Sequence, residues 1–136
     1  MKNKSGFTLV ELLAIIIILG IITALAAPNI IKLFTSNKTT LYCTKITTLE
    51  TDAIKWGEDN LGLLPTISGS ETYNSVDFTI KVQRLIDEGA TKPDDRELNL
   101  ILDPRDDTSL NDVEIKVYLK NNKVYAKIPS AIEICE

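Results

Sequence analysis

The sequence predicts an α+β chain in which one long N-terminal helix, membrane-spanning over its first half, packs on a small antiparallel β-sheet head. Three observations carry this. Phe7 to Ala27 is a 21-residue apolar run with a single charge at Glu11. An amphipathic helical stripe follows it, and two alternating strands stand near the C-terminal end. At 136 residues there is room for one head and no second domain of ordinary size. The expected organisation is a short basic segment at 1–6, a transmembrane half of the long helix at 7–27, an amphipathic half at 28–62, and a globular α+β head at 63–136.

Composition removes most chemistry. Histidine is absent, so Ser-His, Cys-His and His-metal centres cannot be built, and no catalytic residue, cofactor or metal site is expected. Lys plus Arg number 15 against 19 Asp plus Glu, a net charge of -4, so direct nucleic-acid contact is not expected and would need a local patch.

The apolar run comes first. As a helix it rises about 1.5 Å per residue and reaches roughly 30 Å, the hydrocarbon thickness of a bilayer. Ile15 to Leu19 is apolar on every face, unlike an amphipathic surface helix. One reading is a secretory signal peptide with Lys2 and Lys4 as its basic region and Ala24-Leu25-Ala26 as the cleavage site, releasing a secreted binding module after Ala26. Against it stands Glu11, because a carboxylate in an inserted helix costs about 2.5 to 3.5 kcal/mol at the centre. Either Glu11 caps its own helix, or it pairs with a positive group elsewhere.

Gly6-Phe7-Thr8-Leu9-Val10-Glu11, preceded by a short basic leader and followed by an unbroken apolar helix, resembles the class III signal of type IV pilins and pseudopilins. The resemblance implies cleavage after Gly6 by prepilin peptidase and N-methylation of Phe7. It implies assembly through Glu11, whose carboxylate would meet the Phe7 amine of a neighbouring subunit, and helix-loosening residues at Gly20 and Pro28. It further implies a pilin-like fold, a homo- or hetero-oligomeric filament, an inner-membrane assembly platform with an ATPase motor, and a single-pass membrane precursor that becomes an extracellular surface filament. Strong resemblance covers residues 1 to about 30. The positive-inside count does not set orientation, since Lys32, Lys38 and Lys45 follow the run as Lys2 and Lys4 precede it; the cleavage signal does. That basic collar reads as a contact for membrane lipid headgroups.

Beyond Pro28, Tyr42, Ile46, Leu49, Ala53 and Trp56 recur at spacings of 4, 3, 4 and 3, an apolar stripe that ends between Gly57 and Gly62. After a loop around Pro65 and Gly69, Ser75 or Asp77 caps a helix through Phe78, Val82, Leu85 and Ile86, with Gly89 just past its end. Arg84 to Gly89, Arg-Leu-Ile-Asp-Glu-Gly, looks like a common pilin helix end. The stretch Lys92 to Asp112 is acidic, either a solvated loop or, through Asp94, Asp95, Asp103, Asp106, Asp107 and Asp112, a calcium loop without a D-x-D-x-D-G spacing. Val113 to Lys120 and Lys123 to Ile128 alternate around Asn121-Asn122 and predict a hairpin whose apolar face covers the helical stripe. A third strand is assigned to Leu98–Leu102. Cys43 and Cys135 form one bridge or remain two buried thiols.

Overall fold

The computed structural model describes residues 6–136, and for 27–29 the backbone alone. Two compact units meet at Asn37 and Lys38. The first unit is the N-terminal part of α1, which runs as one helix from Leu9 to Asp59. Its residues Leu9–Ala26 form a stretch long and apolar enough to cross a membrane, none of it buried. Within it Thr23 donates its hydroxyl to the Leu19 carbonyl at 2.7 Å, which satisfies the one hydroxyl that lipid could not. The helix is continuous through Gly20 and Pro28, although Pro28 has no N–H to donate.

The second unit is the head, and it takes residues 38–59 of α1 into its own core. Tyr42, Ile46, Leu49, Ala53 and Trp56 are all buried, so the period-3.6 stripe does mark the packed face. Four strands lie against it: β1 Thr66–Ile67, β2 Thr79–Lys81, β3 Glu114–Lys120 and β4 Lys123–Lys127. Strand β3 is central. On one edge β4 pairs with it antiparallel, and on the other β2 (antiparallel) and β1 (parallel) share its length in tandem. The sheet is therefore mixed rather than purely antiparallel. Asn121 and Asn122 hold φ of 51° and 63°, the left-handed pair that a two-residue hairpin turn demands, and Asn tolerates it better than a branched residue. Ile115, Val117, Val124 and Ile128 face α1 and are essentially excluded from water.

Two expectations are corrected. Residues 98–102 make only isolated bridges, Asp95 to Leu100 and Leu102 to Ser109, so the assigned third strand does not exist; β1 and β2 occupy that edge of β3 instead. The second helix, α2, starts at Val82 rather than near Ser75 or Asp77, because Thr79–Lys81 pair with Glu114–Lys116 and are drawn into the sheet. Ser75 instead ends a 3-10 turn, Tyr73–Ser75, capped by the Thr72 hydroxyl. At the other end of α2, Gly89 has φ of 72°, and it and Ala90 donate to the Ile86 and Leu85 carbonyls, a left-handed C-terminal cap in the expected place. A short helix α3, Ile132–Cys135, ends the chain.

α1 ends at Asp59, within the expected span from Gly57 to Gly62, and inside its last turn lies Gly57. It is small because β3 and β4 come close: an added Cβ would lie 2.7 Å from Val124 Cγ1 and 3.0 Å from Val117 Cγ1.

Candidate processing and assembly site

The segment Gly6-Phe7-Thr8 precedes the first helical turn and is exposed, with Phe7 at 75%. Nothing lies within 4 Å of where a Gly6 Cβ would stand. A peptide bond held outside regular structure and free of neighbours can be laid into a protease cleft without unwinding a helix. The basic leader residues Lys2 and Lys4 lie outside the described residues.

Immediately after this bond the chain forms a capping box. Thr8 Oγ1 accepts from the Glu11 N–H at 3.3 Å, while Glu11 Oε2 accepts from both the Thr8 N–H and the Thr8 hydroxyl at 3.0 Å. This is the T-x-x-E arrangement, in which the first and fourth residues satisfy each other's orphan groups at a helix start. Thr8 has no cost in the apolar run to mark it in the sequence, although the spacing of Thr8 and Glu11 is the signature of the box. In the single chain, then, Glu11 does cap its own helix. The two readings of Glu11 are compatible, because both bonds go to Oε2 and neither consumes the negative charge. A cut after Gly6 would leave the Thr8 N–H and hydroxyl in place, so the box would survive it, and would create an ammonium on Phe7, the residue next to the cap.

In the head, Cys43 of α1 and Cys135 of α3 form a disulfide with 5.5 Å between Cα atoms, closing a span of 92 residues. It ties the C-terminal turn to the long helix. Lys127 and Glu136 form an ion pair beside it. Elsewhere in the head the acidic loop is held internally. Asp94 accepts from Lys45 Nζ at 2.5 Å and from the Leu102 N–H at 2.9 Å, Asp95 caps the N–H groups of Glu97 and Leu98, and Asp106 takes the Thr108 hydroxyl. Asp103 is buried and accepts from Arg105 through Nε and Nη2, and that guanidinium lies 3.6 Å from the centre of the Tyr42 ring. The Arg105 hydrogen bond holds the Asp103 carboxyl below its usual range despite the opposing effect of burial. Among the described residues no three acids or thiols converge as a metal site.

The basic collar is thereby altered. Lys45 is committed to Asp94 and the Leu102 carbonyl, and Lys38 donates to the Arg105 carbonyl at 3.3 Å. Both lysines fasten the loop to α1, and Lys45 is paired with an acid of the head. The pilin-like phrase at 84–89 has a packing role: Leu85 and Ile86 enter the core, Arg84 lies 4.9 Å from the Trp56 ring, and Glu88 receives both Arg84 Nε and Trp56 Nε1. Trp56 is a core anchor with its N–H satisfied.

Residues 1–27 match the prokaryotic N-terminal methylation motif. No curated protein and no solved structure matches the chain. The matched segment contains Gly6, Phe7, Thr8 and Glu11 together. The N-terminus is a type IV pilin-like class III signal peptide, the mark of a prepilin peptidase substrate, and it fits a membrane-anchored precursor.

Proposed function

We propose that this chain is a structural subunit, a major or minor pilin-like protein, of a type IV pilus-type surface filament. The observation that carries the reading is the conjunction of a methylation motif with a wholly exposed apolar helix bearing one acid four residues beyond the methylated position. In this reading the peptidase cuts after Gly6 and methylates Phe7. The helix then leaves the bilayer for a bundle of identical or related helices. There Glu11 keeps its cap through Oε2 while its charge meets the Phe7 ammonium of a neighbour; at an effective dielectric near 20 and about 4 Å such a pair is worth roughly 4 kcal/mol, enough to offset the cost of holding a carboxylate among apolar side chains.

The chain performs no chemistry of its own in this scheme, and the platform and its ATPase motor supply the work. A pseudopilin of a secretion or DNA-uptake machine shares the same processing and helix and differs in abundance and length of polymer. Mass spectrometry of the mature N-terminus, with quantification in sheared surface filaments, tests the reading. N-methylated Phe7 in an abundant filament fraction supports it. Ala27 at the terminus would instead mark a secreted module, and N-methyl-Phe7 confined to the membrane would mark a pseudopilin.

A further inference from the structure

The face of the hairpin turned away from α1 carries an ordered set of side chains that the assembly reading does not use. Strand register sets Lys116 opposite Lys127, Tyr118 opposite Tyr125, and Lys120 opposite Lys123. Two pairs of like charges thus flank one pair of aromatics, in a chain whose net charge is -4. Directly opposed like charges weaken a sheet, so the arrangement runs against the local rule for strand pairing.

Only one of the four is neutralised by a carboxylate. Lys127 pairs with Glu136, whereas Lys116 and Lys120 donate to the main-chain carbonyls of Tyr73 and Glu71, and Lys123 lies 5.7 Å from the Tyr125 ring. Among the described residues three ammonium groups on this face therefore keep a net positive charge. Glu114 begins the same strand face, opposite Lys81, and marks its acidic limit. The two tyrosines are stacked, with centroids 5.7 Å apart and planes 14° from parallel. Tyr118 is fixed from beside by a small second core of Ile67 and Val76, flanked by Tyr73 and Phe78, while Tyr125 is 37% exposed. A rigidly backed aromatic surface framed by unneutralised lysines is the combination that binds single-stranded nucleic acid: bases stack on the ring and phosphates meet the ammonium groups. A purely electrostatic contact with a polyanion would need the lysines and no aromatic backing.

We propose that the outer face of the β3–β4 hairpin binds single-stranded polynucleotide, with Tyr125 as the stacking platform and Lys116, Lys120 and Lys123 as its phosphate contacts. This is the local patch that the overall acidity of the chain would otherwise exclude. It does not depend on filament assembly, since the site is complete on one head.

The test uses the full-length chain in neutral detergent and a fluorescein-labelled oligothymidylate of about twelve nucleotides, within the site size of known single-strand binders. Anisotropy at about 50 mM salt should show saturable binding that weakens steeply as salt is raised. Lys120→Ala with Lys123→Ala should reduce affinity at least about tenfold, and Tyr125→Ala by about tenfold, while Tyr125→Phe, which keeps the ring, binds as wild type. Lys92→Ala with Arg96→Ala, off this face, should leave binding unchanged. Absence of binding at low salt overturns the proposal. So does binding that heparin displaces equally well and that Tyr125→Ala leaves intact, which would make the face a general polyanion contact.

Discussion

Replacing Gly57 by alanine should destabilise the head, the reverse of what an open helical position would give. In an ordinary helix interior the change stabilises by about 1 kcal/mol. Here the new methyl would stand 2.7 Å from Val124 Cγ1, 3.0 Å from Val117 Cγ1 and 3.2 Å from Leu64 Cδ1. Both valines are β-branched and buried at 3% and 0% exposure, so neither can swing aside. Overpacking of this kind costs about 1 to 3 kcal/mol, leaving a net loss of about 1 kcal/mol once the propensity gain is subtracted. For a head of about 100 residues that lowers Tm by roughly 4 to 8 °C. Val124→Ala removes the nearest atom. Alone it should cost about 1.5 kcal/mol for two buried methyl groups, and in the Gly57→Ala background about 1 kcal/mol less, a coupling that a double-mutant cycle reads directly. Thermal unfolding of the full chain in detergent, followed by the near-ultraviolet circular dichroism of buried Trp56, measures all four proteins. A Tm for Gly57→Ala several degrees above wild type, or strict additivity with Val124→Ala, would refute the close approach of α1 and the hairpin.

Other expectations follow from the tail and the acidic loop. Cys43→Ser with Cys135→Ser should lower head stability by about 4.6 kcal/mol, the chain-entropy value for so long a loop, and reductant should do the same to wild type but not to the double variant; equal Tm with and without reductant would contradict the bridge. Asp103→Asn should cost about 2 kcal/mol at neutral pH, by stranding a partly buried Arg105 over Tyr42. Because the Asp103 carboxyl is held low in the folded head, its contribution is complete above the ordinary carboxylate range and disappears as pH falls through the depressed value. Acid titration of stability should therefore be shallower in Asp103→Asn than in wild type, and identical acid limbs would show that the Arg105 contact contributes nothing.

What the sequence made legible was whatever depends on period and local spacing. The stripe from Tyr42 to Trp56, the hairpin around Asn121-Asn122 and the Gly89 cap all stand where alternation, helical spacing and turn chemistry put them. Pairings made across the chain were not legible. Thr79–Lys81 reads as the start of a helix because Val82, Leu85 and Ile86 continue its period, yet the exposed edge of β3 takes those three residues as a strand. Leu98–Leu102 has a strand's composition but finds that edge already occupied, and its Ile101 N–H goes to the Asn111 side chain instead. Lys45 looked like part of a basic collar because its partner, Asp94, is 49 residues away in sequence. Glu11 stands out in the sequence through its cost in an apolar helix, whereas Thr8, its cap partner, carries no such cost and is marked only by its spacing.

The claim on which the assembly reading turns is that the charge of Glu11, and not only its cap, is needed in the filament. Glu11→Gln separates the two, since glutamine still closes a capping box but offers no charge to an ammonium group, while Thr8→Ala breaks the box and keeps the charge. Both variants should be cut after Gly6 and N-methylated. Quantified in sheared surface filaments, Glu11→Gln should be absent or nearly so and Thr8→Ala should assemble; wild-type amounts of Glu11→Gln filament would contradict the account.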